Sequence, residues 1–191
     1  ALDLAHAPTR PETFALRLVA RVDYGARVDA PTVVLRFDAA NGRLPKFSAG
    51  DLIGVMAPGA DVARFYSLAS SRRDGMVEIC VRLRPDGLCS TFLHGLRPGA
   101  TVDAFVRENP GFRPAPGVAP VILIGAGAGV APLAGFVRGN DRRRPMWLYV
   151  GARHPASDFL YEHELRAALG DRRLAALRTA FSRARPHAHV Q

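Results

Sequence analysis

Three runs of residues could do chemistry. The first is Ala63-Arg64-Phe65-Tyr66-Ser67-Leu68-Ala69-Ser70-Ser71. Arg64 offers a guanidinium fork for a phosphate, and Tyr66 offers a flat ring for stacking. Ser67 offers a hydroxyl for the edge of a heterocycle. Phe65 and Tyr66 favour a strand, and alternation places Arg64 and Tyr66 on one face and Ser67 on the other. If all three are to meet one ligand, the strand must end or twist at Ser67. A purely structural strand more often carries Val or Ile here. The run fits a ligand with both a planar ring and a phosphate, and a flavin nucleotide has both.

The second run is Gly125-Ala126-Gly127-Ala128-Gly129-Val130-Ala131-Pro132. It follows an apolar stretch and leads into a helical pattern. Glycines let backbone approach a ligand, and the N–H groups at a helix start bind an anion such as pyrophosphate. It is not GxGxxG, because Val130 stands where the third glycine would be, and a ligand-free turn between strand and helix uses the same residues. The third run, Arg84 to Leu93, has Gly87 for a turn and Ser90 or Thr91 at the head of a short helix. Those hydroxyls and N–H groups suit a second phosphate or an ordinary helix cap.

Other reactive residues fit no such pattern. Cys80 and Cys89 have no metal spacing and read as buried small apolar residues. His187 and His189 lack a third ligand, and His94, His154 and His163 show no ligand spacing, so no metal site is expected. Ser67, Ser70 and Ser71 lack the G-x-S-x-G setting of a hydrolase nucleophile.

The elements that must position these runs divide the chain in two. Six alternating stretches separated by turn residues lie between Thr13 and Arg107, with one short helix over Cys89–Leu96. They predict an antiparallel barrel or sandwich. A proline-rich stretch, 109–120, then changes the character of the chain. After it, apolar strands around 121–125, 146–150 and 174–181 alternate with helical patterns, which predicts a βαβαβ unit with a parallel sheet. The expected division is residues 1–115 and 116–191. The uncharged stretch 118–137 contains Pro120, Pro132 and four glycines, and reads as strand, turn and helix rather than a membrane span.

The 191 residues carry a net charge of +9, almost all of it arginine, since Lys46 is the only lysine. Such a balance fits anionic partners, but no continuous basic face with interleaved aromatics argues for nucleic acid. No secretory signal is visible, so the expected location is the cytoplasm, as an independent protein or the cytoplasmic part of a membrane-associated one.

The ordered set RFYSLAS, EICVRL, GLCSTFL, GAGAGVAP, LYVGAR, DFLYEHEL and AFSR resembles ferredoxin–NADP reductase-like flavoproteins. Its details are most similar to the FAD/NADPH reductase module of cytochrome P450 reductase and the sulfite reductase flavoprotein. The resemblance covers about residues 13 to 191 and is far more specific than any single motif. It implies an antiparallel FAD-binding β-barrel followed by an α/β NADP-binding domain that is incomplete at its C-terminus. It also implies roles. Arg64 would bind a flavin phosphate, Tyr66 would stack on the isoalloxazine, Ser67 would sit near N5 and Phe65 would belong to the same cofactor-binding run, which makes Tyr66 and Ser67 the catalytic pair. Cys80, Val81 and Arg82 match the strand beside the flavin. Gly87, Leu88, Cys89, Ser90 and Thr91 match the loop that holds the FAD pyrophosphate. Gly125, Gly127, Gly129 and Pro132 would cradle the nicotinamide dinucleotide, and Arg153, Ser182 and Arg183 would meet its adenosine end.

The sequence departs from the family at several points. Ala126 and Ala128 replace residues that are often threonine, and Pro186-His187-Ala188-His189 stands where the diflavin branch has Lys-x-Tyr. The implied activity is hydride transfer from NADPH to FAD and onward electron transfer, to an acidic flavodoxin-like protein, a fused domain or a small molecule. An FMN- or NADH-using flavin reductase and a non-catalytic flavin- or nucleotide-binding remnant are the alternatives.

Overall fold

The structure, a computed structural model, describes residues 12–26 and 28–184, so His187 and His189 lie outside it. The first sheet comprises β1 (Phe14–Tyr24), β2 (Thr32–Ala39), β3 (Leu52–Val55), β4 (Arg64–Ser67), β5 (Val77–Arg82) and β6 (Thr101–Arg107). Its order is β4-β3-β6-β1-β2-β5, and every pairing is antiparallel. The sheet curls like a barrel but its ladder is not closed. The end strands meet only through one bridge, Leu68 to Ile79.

Alternation explains why these stretches are strands and which way they face. In β1, Leu16 and Leu18 are buried while Arg17 and Val19 are exposed. Strands β2 and β5 are buried on both faces. Val33, Leu35, Phe37, Ile79 and Val81 fill the core of the curled sheet, while Val34 and Cys80 point the other way into a second core. The two halves of the chain therefore join along β2 and β5.

The second sheet is parallel, in the order β7 (Val121–Ala126), β8 (Met146–Ala152), β9 (Ala176–Phe181). Helix α2 (Val130–Arg138) links β7 to β8, and α3 (Glu162–Gly170) links β8 to β9. Right-handed crossovers that run in one direction place both helices on one face. On the other face Ile122, Ile124, Trp147 and Tyr149 are exposed. The stretch 118–137 is thus strand, turn and helix, and no helix among the described residues is long and apolar enough to cross a membrane.

Helix α2 docks against the first sheet through Gly135, where a Cβ would collide with the Ala69 carbonyl and the Ala49 side chain. At its end, Arg138 reaches Glu78 of β5 at 3.0 Å and Glu164 of α3 at 2.7 Å, and donates to the Ala69 carbonyl at 3.2 Å. Glu78 is wholly buried and also pairs with Arg36 of β2 at 2.5 Å. Burial alone would lower the Arg138 pKa, but the carboxylates of Glu164 and Glu78 outweigh it, and the guanidinium stays charged.

Asp51 fixes the crossing between the two sheets. Its oxygens accept the N–H of Asn109 at 2.9 Å, the N–H of Ser48 at 2.8 Å and the Arg113 guanidinium at 2.5 Å. Burial raises the Asp51 pKa, but these donors together bring it below the usual carboxylate value. A carboxyl depressed on folding contributes stability above its unfolded pKa, near 4, and loses that contribution as pH falls through the folded value. Thermal melts at a series of pH values from about 5 down to about 2.5 should therefore show a shallower acid slope in Asp51→Asn than in wild type. Parallel slopes would show that Asp51 contributes nothing to acid sensitivity.

Candidate functional site

The site on the first sheet is built where β4 ends beside α1 (Leu88–Gly95). β4 stops at Ser67, and the next residue, Leu68, donates its N–H to the Asp51 main-chain carbonyl at 2.7 Å and bridges Ile79. Arg64 is exposed, and Tyr66 is half-buried against the core of the curled sheet. The Tyr66 hydroxyl meets the Cys89 thiol, and burial together with that contact raises the tyrosine pKa, so the phenol stays protonated. Phe65 lies on the opposite face of the strand, 41% exposed, edge-on to Phe105 and beneath the Arg107 guanidinium.

Helix α1 is held at both ends. Arg21 donates to the carbonyls of His94 at 3.0 Å and Leu96 at 2.7 Å, which satisfies the last turn. At its start the cap is Gly87, and neither Ser90 nor Thr91 takes that place. The Ser90 hydroxyl instead donates to the Gly87 carbonyl at 2.9 Å and accepts the Arg84 N–H at 3.2 Å. Ser90 thus shapes the loop, and the anion-binding capacity of this end rests on its backbone N–H groups. Leu88 and Thr91 are exposed beside an apolar groove of about 640 Å³ along the helix.

Cys89 is buried and donates weakly to the Val55 carbonyl. Cys80 and Val81 are buried too, in opposite cores. Burial, with Glu78 nearby, pushes the Cys80 thiol up to about 12, so it stays protonated. These three side chains pack the protein. Arg82 alone of its strand triplet is exposed.

The second site is a cleft of about 490 Å³ at the C-terminal ends of β7, β8 and β9. It gathers Arg82, Gly127, Gly129, Arg153 and Ser182, and its near wall is Val28, Ala30 and Thr32 from the β1–β2 hairpin. The glycines play different parts. Gly127 has φ +52°, in the left-handed region that favours glycine, and a Cβ on Gly127 or Gly129 would meet only open space. The floor of the loop is therefore free for a ligand. Gly125 is a packing glycine, because its Cβ would strike Leu133. Pro132 is buried within the first turn of α2. Backbone bonds from Ser182 to Ala152 at 3.0 Å and from Arg183 to Arg153 at 2.8 Å bring the tips of β8 and β9 together.

Asp158 also lines this cleft, which the sequence did not suggest. Its two oxygens accept the N–H groups of Arg153 at 3.0 Å and His154 at 2.6 Å and so shape the turn after β8. Arg183 is not among the residues that line the cleft, and approaches Asp29 at 3.6 Å, with both side chains largely exposed. No group of three or more metal-ligating side chains occurs among the described residues.

A curled antiparallel sheet joined to a parallel sheet with a glycine loop at its C-terminal edge is the arrangement of an oxidoreductase with one flavin-binding and one dinucleotide-binding domain, and the domain matches agree. Residues 21–105 match the oxidoreductase FAD-binding domain, and residues 123–188 match the oxidoreductase NAD-binding domain. The chain belongs to the ferredoxin–NADP reductase-like flavoproteins, and its two domains indicate FAD and a nicotinamide dinucleotide as cofactors. It is 34% identical over 164 residues to ferredoxin–NADP reductase B of Sorangium cellulosum, covering 82% of this chain and 64% of that protein. It is 36% identical over 135 residues to the sulfite reductase [NADPH] flavoprotein alpha-component of Photobacterium profundum, covering 63% of this chain but only 22% of that one. The fold matches ferredoxin–NADP+ reductase from Plasmodium falciparum with a TM-score of 0.76 at 18% identity, over 91% of this chain and 71% of that chain.

Proposed function

We propose that this module takes a hydride from NADPH onto FAD and hands electrons to a separate acceptor. One observation carries this reading: the dinucleotide cleft is walled by both halves of the chain. Thr32 and Arg82 come from the FAD-domain sheet, while Gly127, Gly129, Arg153 and Ser182 come from the parallel sheet. A dinucleotide on the glycine loop would therefore lie against the flavin domain. The bound flavin supplies the redox chemistry, and the chain supplies position and polarity.

The residues fit both groups. Arg64 would take a flavin phosphate, Tyr66 would present its ring to the isoalloxazine, and Ser67 would approach its edge. The backbone of Gly87–Thr91 would hold the FAD pyrophosphate. Gly127 and Gly129 would admit the NADPH pyrophosphate, with Arg82 facing it across the cleft. We assign the flavin chiefly to residues 1–115 and NADPH chiefly to residues 116–191. The net charge of +9 supports an acidic acceptor, either a flavodoxin-like protein or a fused domain, and a cytoplasmic setting suits that chemistry.

Reconstitution with excess FAD followed by desalting and an absorption spectrum tests the flavin site directly. Flavin bands are expected, and their absence would sink the assignment. Tyr66→Phe should keep the flavin, because stacking needs the ring. Tyr66→Ala should weaken binding by about 1–2 kcal/mol. If the two variants bind FAD equally, Tyr66 is only a strand residue. Steady-state NADPH oxidation with ferricyanide separates an enzyme from a binding module.

A further inference from the structure

A second large cavity, of about 700 Å³, lies between the two sheets at the start of β8 and the end of α2. It is at the opposite end of the parallel sheet from the nucleotide cleft, and neither cofactor assignment uses it. Six cations line it: Lys46, Arg72, Arg73, Arg113, Arg142 and Arg144. Asp141 is the one carboxylate in its lining. Its volume falls in the range of small-molecule sites, about 300–1,000 Å³.

The cations are of two kinds. Two are held in place. Arg113 is locked on the buried carboxylate of Asp51, and Arg144 donates to the carbonyls of Ala119 at 2.5 Å and Ala115 at 2.6 Å. Both fasten the 113–119 stretch that crosses from one sheet to the other. Lys46, Arg72 and Arg142 are exposed and engaged in no ion pair among the described residues. Arg73 has only a loose contact with Asp141 at 3.4 Å, with both side chains exposed.

Gathering like charges around a concavity raises the local potential and concentrates anions there. A single phosphate could engage two or three of these groups, but cations contributed by four separate segments suit a longer anion. Guanidinium forks match phosphate oxygens in pairs. The buried ring of Phe47 lies among the residues that line this open concavity. We propose that it is a second anion site, which takes a polyphosphate: a small molecule or ion with two or more adjacent phosphate groups. Lys46 and Arg72 belong to the first half of the chain and Arg142 to the second, so the bound anion ties the two halves together at a point remote from the redox site.

Calorimetric titration of inorganic tripolyphosphate into the FAD-loaded full chain tests this. The nucleotide cleft can also take phosphates, so two double variants are compared. Arg72→Ala with Arg142→Ala should weaken tripolyphosphate binding about tenfold or more, since two charge-assisted contacts are lost. Arg153→Ala with Ser182→Ala, in the nucleotide cleft, should leave this binding event in place. Both substituted arginines of the first pair are exposed, and Lys46→Ala provides an independent single variant that should also weaken binding. No binding by wild type overturns the proposal, as does loss of binding that follows the cleft variant instead. Tighter binding of poly-aspartate than of tripolyphosphate also overturns it, and would assign the cavity to an acidic protein segment. Failure of NADPH oxidation with tripolyphosphate binding intact would leave this site standing and remove only the functional reading above.

Discussion

Replacing Glu78 with alanine is expected to destabilise the protein by about 3–5 kcal/mol, the cost of removing one partner from a buried ion pair. Glu78 has no exposed surface, and its two oxygens hold guanidiniums from different halves of the chain, Arg36 at 2.5 Å and Arg138 at 3.0 Å. Its loss leaves Arg138, only 15% exposed, with Glu164 as its one carboxylate. The outcome differs from that for an exposed pair such as Arg166–Glu162, where removal should cost under about 1 kcal/mol. Glu78→Gln keeps the shape and two acceptor or donor positions, and should fall between wild type and alanine. Urea unfolding monitored by far-UV circular dichroism measures all three. A loss below about 1 kcal/mol in Glu78→Ala would mean that water replaces the carboxylate at little cost. The network also bears on function, because Arg138 ends the helix that begins at the glycine loop. A loosened α2 would displace that loop relative to Arg82.

Much of this architecture is legible in the sequence because the signals are local. Alternation marks β1 and β6, and apolar runs with glycine turns mark β7 to β9. The short helix after Gly87 follows from its turn and the apolar residues behind it. The cap of that helix was misplaced for a physical reason. Ser90 looks like a capping residue, but its hydroxyl turns back to the Gly87 carbonyl and the Arg84 N–H, which leaves Gly87 at the boundary. What the sequence hides are pairings between distant positions. Glu78 and Arg138 are sixty residues apart, and nothing near either one announces the other. The cations of the second cavity come from separate loops at 46, 72–73, 113 and 142–144, and no single run is basic enough to mark them. The Tyr66–Cys89 contact is hidden in the same way, since it depends on how β4 and the start of α1 meet.

The module should oxidise NADPH in strong preference to NADH, and Arg183→Ala should raise the KM for NADPH at least about tenfold while leaving NADH almost unchanged. In a typical NAD-binding unit an acidic residue at the end of the second strand holds the ribose 2′-hydroxyl. Here that strand ends in Gly151-Ala152-Arg153. The nearest carboxylate, Asp158, lines the cleft, but both its oxygens already accept backbone N–H groups, from Arg153 and His154. It is bound into the turn rather than offered to a ribose. Beside it, the Ser182 and Arg183 N–H groups bond the β9 end of the chain to the β8 tip, so that Arg153 and Ser182 line the cleft and Arg183 follows directly in the chain. Arg153 has no ion pair among the described residues. Arg183 has only Asp29, at 3.6 Å and well exposed, a contact weak enough for a phosphate to displace. A 2′-phosphate would gain charge-assisted hydrogen bonds worth about 1.5–3 kcal/mol each, and NADH would leave the same guanidiniums in water. Asp29→Ala supplies a control with the opposite sign: freeing Arg183 should hold or lower the KM for NADPH. Steady-state kinetics with ferricyanide and both nucleotides decide the matter. Wild-type protein that oxidises NADH as efficiently as NADPH would reduce Arg153 and Arg183 to two more surface arginines in an arginine-rich chain.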